Sequence, residues 1–126
     1  MTASSILLKD RKILLLKRVE TTRLFPGCWT FPGGKAEPGE SPEKTAIRET
    51  REEVNLNFLP TQLFVINTFE DRLMYRYLGD WSGQIQIQYE EVTDFGWFNY
   101  QDTNGLTLAF DYREVVDLLF SNGFIE

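Results

Sequence analysis

Four glutamates and an arginine sit close together in the first half of the chain, and their spacing can do chemistry. Glu49, Glu52 and Glu53 lie within five residues, Arg48 precedes them, and Glu40 stands eight positions further upstream. At about 100° per residue, Glu52 and Glu53 fall roughly 60° and 40° either side of Glu49, so the three carboxylates share one helical face. Oxygen-only donors of this kind match a hard divalent cation, Mg²⁺ or Mn²⁺, which keeps some of its waters and also takes substrate phosphates. Arg48 lies four residues before Glu52, the spacing at which opposite charges meet on a helix. A solvated, charge-rich surface helix is the plainer account of Arg-Glu-Thr-Arg-Glu-Glu on its own. The order of what precedes it, Phe31-Pro-Gly-Gly34, then Pro38-Gly39, then Glu40, favours a ligand-binding loop feeding an acidic helix.

The elements that must position these groups are legible locally. Ser41 suits the N-cap, Pro42 the first helical position and Glu43 the positive end of the helix dipole. Residues 43–54 hold no Gly or Pro, and Asn55 tolerates the left-handed conformation that ends many helices. Ile47, Thr50 and Val54, with Ala46 at the edge, make the face expected to meet the core. Gly33-Gly34 is expected to be a turn with two residues free to take positive φ.

The segment 34–56 resembles the Nudix box, the signature of the MutT-like Nudix hydrolases. Gly34, Glu40, Arg48, Glu49, Glu52, Glu53 and Leu56 stand at its positions, while Thr50 fills a normally apolar slot and Asn55 replaces the final glycine. The lead-in Trp29-Thr-Phe-Pro-Gly-Gly, the strand Ile13–Arg18, the acidic pair Glu90-Glu91 before Phe95-Gly-Trp-Phe98, and the C-terminal helix over 110–121 extend the likeness along nearly the whole chain. The resemblance implies an α/β Nudix fold, a mixed β-sheet sandwiched between α-helices, in a single domain over 1–126. It implies a Mg²⁺-dependent pyrophosphohydrolase acting on a nucleoside diphosphate linked to another group. A nucleoside triphosphate or an oxidised purine nucleotide is the first expectation. Nucleotide-sugar or dinucleotide hydrolysis, removal of pyrophosphate from RNA 5′ ends, and a non-catalytic nucleotide-binding module are the alternatives.

On that resemblance the metal ligands are Glu49, Glu52, Glu53, the Gly33 carbonyl and Glu91. The catalytic set is Glu49, Glu53, Glu91 and Arg48, with Arg48 orienting the acids and Glu40 supporting the loop. Arg18 and Lys35 are candidates for phosphate contact, each set against a solvated surface role. Asp111 is a candidate for reading a base edge, set against helix capping. Phe25, Trp29, Phe69, Tyr75, Phe110 and Tyr112 are candidates for base stacking, although aromatic side chains more often fill cores.

Composition sets the bounds. At 126 residues, 42% hydrophobic and 14% aromatic, the chain has material for a core. With no histidine, imidazole-based acid–base or zinc chemistry is excluded. A net charge of −6 argues against a polymeric nucleic-acid footprint, but not against a nucleotide. The expected partner is a small nucleotide, with no membrane and a monomer or homodimer. Cys28 is the sole cysteine, and with no leader-like N-terminus it suits a cytoplasmic protein. Elsewhere the pattern predicts a hairpin of Ser4–Leu8 with Lys12–Val19 about Asp10-Arg11, and a loop over 20–28. Long strands over 56–70 and 72–81 turn at Glu70-Asp71. Residues 84–88 are a strand or an extended loop, 95–98 a strand, and 99–105 a loop.

Overall fold

Runs of β-branched and aromatic residues put much of this chain into strands, and the computed structural model, which describes residues 1–126, places eight strands and three helices. These elements fall into two compact units, one of residues 1–7 with 32–88 and the other of residues 8–31 with 89–126.

In the first unit β1 (Thr2–Ile6), β5 (Gly33–Lys35), β6 (Asn57–Phe69) and β7 (Arg72–Ser82) form a mixed sheet in the order β5-β1-β7-β6. β1 runs parallel to β7, with Ser4 beside Arg76, and antiparallel to β5, with Ala3 beside Gly34. Helix α1 (Pro42–Val54) packs on this sheet through Thr45, Ala46, Thr50 and Val54, and the buried hydroxyls of Ser5 and Thr50 meet at 2.6 Å. A shared hydrogen bond satisfies both polar groups away from water, so the threonine in the usually apolar slot is accommodated. Ile47 departs from the expected core face and is exposed, while Glu53 is buried. The helix is rotated toward its acidic side.

The ends of α1 follow the sequence. Ser41 Oγ accepts from Lys44 N, and Asn55 adopts φ 63° with its N–H donating to Arg51 O. Beyond the helix, 84–88 is extended without joining a sheet. Gln86 N and Gln88 N donate to the carbonyls of Val54 and Glu53, which closes off the last turn.

The second unit holds an antiparallel sheet of β2 (Leu8–Lys9), β3 (Lys12–Arg18), β4 (Trp29–Thr30) and β8 (Val92–Phe98). It also holds helices α2 (Tyr100–Thr103) and α3 (Tyr112–Ser121). The hairpin expected over residues 4–19 shrinks to Leu8-Lys9 against Lys12-Ile13. The expected strand Ser4–Leu8 breaks in two because Thr2–Ile6 pairs with β5 and β7 instead. The loop expected at 99–105 contains α2, closed by a capping box between Asn99 and Asp102. Tyr112, Val115, Val116 and Leu119 are the buried stripe of α3, whereas Leu118 is exposed.

Seven non-glycine residues have positive φ. Asp10-Arg11 and Glu70-Asp71 are two-residue hairpin turns with both φ positive, and Asn55 is a helix end; turn and cap rules explain all five. Phe110 (φ 51°) is the second residue of the Ala109–Tyr112 turn, which Tyr112 N closes by donating to Ala109 O at 3.1 Å, a position that takes positive φ in type II′ turns; Phe25 (φ 50°) fits neither rule. A bulky residue in this region costs on the order of 1–3 kcal/mol, and Phe25 also precedes Pro26, which further disfavours helical backbone.

Candidate active site

Gly33 and Gly34 are not a turn. They form β5 with ordinary φ, and their lack of a side chain serves close approach. A Cβ on Gly33 would lie 2.5 Å from Ala3 O, and one on Gly34 would lie 2.5 Å from the Glu49 carboxyl carbon. The glycine pair therefore lets strand and acidic helix meet with carboxylates between them.

Each glutamate of the trio has its own environment. Glu53 is buried at 5% exposure, and its Oε1 accepts from Gly33 N at 2.8 Å. Glu49 is half-buried against Gly34. Glu52 is exposed. One nitrogen, Arg48 Nη1, donates to Glu49 Oε1 at 3.0 Å and to Glu52 Oε2 at 3.1 Å, and so gathers the two carboxylates side by side.

Arg48 also grips Glu40 with two bonds, Nε to Oε2 at 2.8 Å and Nη2 to Oε1 at 3.0 Å, and its Nη2 reaches Lys35 O at 3.1 Å. Paired bonds of this fork type fix orientation as well as charge. Glu40 accepts in addition from Thr45 Oγ1 and Glu37 N. Its carboxyl is lowered to about 2, chiefly by the Arg48 hydrogen bond, and Arg48 is in turn held charged, chiefly by Glu40. The sequence suggested only a supporting part for Glu40. In the structure it anchors the arginine that arranges the other acids.

As arranged, no group of three acidic side chains encloses an ion position. Glu49 and Glu52 are drawn onto Arg48, and Glu53 onto the Gly33 amide. The donors nevertheless suit a hard dication. They are carboxylate oxygens alone, projecting from two consecutive turns of one rigid helix.

The other expected site residues divide between the units. Lys35 is exposed on β5 in the first. In the second, Glu91 is exposed just ahead of β8, and its carbonyl accepts from Val19 N at 2.9 Å. Arg18 is engaged with its own loop, donating from Nε to Leu24 O at 2.8 Å and from Nη2 to Thr22 Oγ1 at 3.3 Å. Asp111 occupies the N-cap position of α3, where its side chain makes no capping hydrogen bond. Of the aromatic candidates, Tyr112 is buried, while Phe25 and Phe110 are half-exposed and in ring contact, with centroids 4.6 Å apart.

Comparison with known proteins accords with this geometry. The NUDIX domain family matches residues 1–119. The Bacillus subtilis protein described as uncharacterized Nudix hydrolase YvcI is 29% identical over 124 residues, covering 90% of this chain and 75% of its own. The nucleoside triphosphatase NudI of Escherichia fergusonii is 28% identical over 124 residues, covering 86% of this chain and 88% of its own. The chain also matches NAD-capped RNA hydrolases NudC, and spans 34% of the length of the one from Stutzerimonas stutzeri. Among solved structures, a MutT NUDIX hydrolase from Burkholderia pseudomallei superposes with a TM-score of 0.81 at 24% identity. That match covers 92% of this chain and 94% of that one, and is a likeness of fold.

Proposed function

The chain belongs to the Nudix family, whose hydrolases act on phosphoric anhydride bonds, and on that footing we propose that it cleaves a nucleoside triphosphate, an oxidised purine nucleotide included, to the monophosphate and pyrophosphate with Mg²⁺ or Mn²⁺. The observation that carries the proposal is the packing of Glu49 and Glu53 against the Gly33-Gly34 strand, with Glu52 beside Glu49 on Arg48. Glu49, Glu52, Glu53 and the Gly33 carbonyl would hold the metal. When bound there, a dication neutralises phosphate charge and acidifies a water. Glu53 has one carboxylate oxygen fixed by the Gly33 amide, and it orients the attacking water or takes its proton. Arg48 keeps Glu49 and Glu52 adjacent, and Glu40 keeps Arg48 in place. The NudI relative, similar over most of both chains, supports a nucleoside triphosphate as substrate. A dinucleotide linkage is the second reading, supported by the match, over 74% of this chain, to the NAD-capped RNA hydrolase NudC, whose named substrate carries NAD at an RNA end.

A panel of canonical and oxidised nucleoside triphosphates, nucleotide sugars, dinucleotides and capped RNA, assayed for phosphate and pyrophosphate release with and without Mg²⁺, separates these readings. Glu53→Gln retains an acceptor for the Gly33 amide and loses the charge. We expect it to keep its melting temperature and to lose at least about a hundredfold in kcat, the scale of a general-base loss. Unchanged turnover in that variant would overturn the mechanism, and cleavage confined to dinucleotides would overturn the triphosphate assignment.

A further inference from the structure

We propose that a second copy of this chain docks on β6, its Val65–Phe69 segment pairing antiparallel with the same segment about a two-fold axis, so that the two sheets join into one. The docking surface belongs to the first unit alone and requires nothing of the hydrolytic chemistry.

Three observations converge on it. First, β6 is the last strand in the sheet order β5-β1-β7-β6 and pairs with β7 alone. A strand in that place is a template for another strand, and proteins ordinarily blunt it with charge, proline or bulges. Here the blunting covers one half only. Pro60 and two register shifts, between Pro60 and Gln62 and between Leu63 and Val65, interrupt the first part, whereas Val65–Phe69 runs in unbroken register against Arg72–Arg76. Second, apolar side chains gather beside that segment. Of the ten exposed large hydrophobic residues, four lie in β6 and β7: Leu59, Leu63, Ile66 and Leu73, at 41–62% exposure. Leu63 lies across from Tyr77 and Ile66 from Tyr75, and Tyr77 donates its hydroxyl to Glu43 of α1 at 2.8 Å. By alternation, Leu63, Ile66 and Leu73 share the face of the sheet that carries α1, in a part the helix leaves uncovered. Third, the strand is neutral. None of the thirteen residues of β6 is charged, in a chain that is 25% charged with a net charge of −6.

These features select the occupant. Two copies of an acidic chain repel, so they approach closely only through surface without charge. A strongly basic or acidic partner has no charge on β6 to recognise. Antiparallel pairing of a segment with itself is self-complementary, as a two-fold contact requires. With Asn67 opposite its own copy, Glu70 stands three residues from the axis on either side. The two Glu70 residues are then roughly 20 Å apart along the strands, at about 3.4 Å per residue, well beyond the screening length of about 8 Å at physiological ionic strength. The axis is perpendicular to the sheet, so Leu63, Ile66 and Leu73 of both copies form one apolar layer between α1 and its copy. The contact is smaller than the standard interface of about 800 Å² per partner, which makes the dimer reversible.

Sedimentation velocity on the whole chain tests the pairing. The average mass is expected to rise from monomer toward dimer between about 5 and 500 µM, as an interface below standard size implies, and to rise further in high salt, which screens the repulsion. Ile66 is 48% exposed, so Ile66→Lys should melt within a few degrees of the wild type. With a lysine from each copy beside the axis, it should remain monomeric throughout. Leu118→Lys, a comparable change at 43% exposure on α3, should dimerise as the wild type does. Hydrogen exchange on the wild type gives an independent reading, since the amides of residues 65–69 should exchange at least about fivefold more slowly at the high concentration than at the low. The proposal is overturned if the wild type stays monomeric at the highest concentration, if Ile66→Lys still dimerises, if Leu118→Lys abolishes dimerisation, or if the slowed amides lie outside β6. Turnover is read in none of these arms, so a failure here leaves the Glu53→Gln test standing.

Discussion

At the scale of single residues, the site is organised by Arg48 more than by any one acid. Three carboxylates crowded onto one helix face repel one another, and a guanidinium that bonds Glu40, Glu49 and Glu52 together offsets that repulsion. The coupling has a pH signature. Glu40 is depressed from 4.5 to about 2 in the folded chain, so its pairing stabilises the fold fully above the unfolded value. That contribution drains away as pH falls from about 4.5 toward 2. In metal-free buffer, the gap in melting temperature between wild type and Glu40→Gln is therefore expected to be widest near neutrality and to close progressively below pH 4.5. A gap independent of pH would refute the ion-pair role. Gly34 offers a second test. The nearest atoms a Cβ there would meet are the flexible end of Glu49, so Gly34→Ala should cost little stability while moving that carboxylate. Hydrolysis should fall tenfold or more with the melting temperature within a few degrees of wild type, and equal activity would show that the placement of Glu49 is immaterial.

At the scale of elements, α1 is a cassette with defined ends. Ser41 and Asn55 cap it, and Gln86 and Gln88 bond its last carbonyls. Asn55 holds φ 63°, a conformation that costs a residue with an ordinary Cβ about 1–2 kcal/mol. Asn55→Ala is accordingly expected to lower unfolding free energy by about 1 kcal/mol in urea melts, and Asn55→Gly to equal or exceed wild type. If alanine proved as stable as glycine, the left-handed end would carry no weight. The rotation of the helix matters as much as its ends. By burying Glu53 and exposing Ile47, the fold sacrifices some apolar contact to bring a carboxylate to the Gly33 amide.

At the scale of the whole molecule, a chain of net charge −6 concentrates several of its acids on one helix and sets them against a glycine strand. Such a set should take up dications from solution. Calorimetry is expected to detect Mg²⁺ or Mn²⁺ uptake that Glu53→Gln weakens at least tenfold, and chelation with EDTA should abolish hydrolysis until either ion is restored. Full turnover in EDTA would rule out the metal-dependent scheme. No helix is long and apolar enough to cross a membrane.

The chain's own letters determined whatever depends on neighbours along the backbone. The span and caps of α1 follow from Ser41, Pro42 and Asn55, and the hairpin turns at Asp10-Arg11 and Glu70-Asp71 from charged pairs that interrupt strand-like runs. The Nudix box was legible as a resemblance, since Gly34, Glu40, Arg48, Glu49, Glu52 and Glu53 all stand within one continuous segment. Partners distant in sequence were decided only in three dimensions. Ser4–Ile6 left the expected hairpin for a sheet with β5 and β7, because pairing depends on which strands compete for the same edge. Gly33-Gly34 became a strand, because the approach of Ala3 and Glu49 comes from residues about 15 to 30 positions away. The meeting of Phe25 with Phe110 joins loops 85 residues apart in the numbering, and local periodicity carries no record of such a contact.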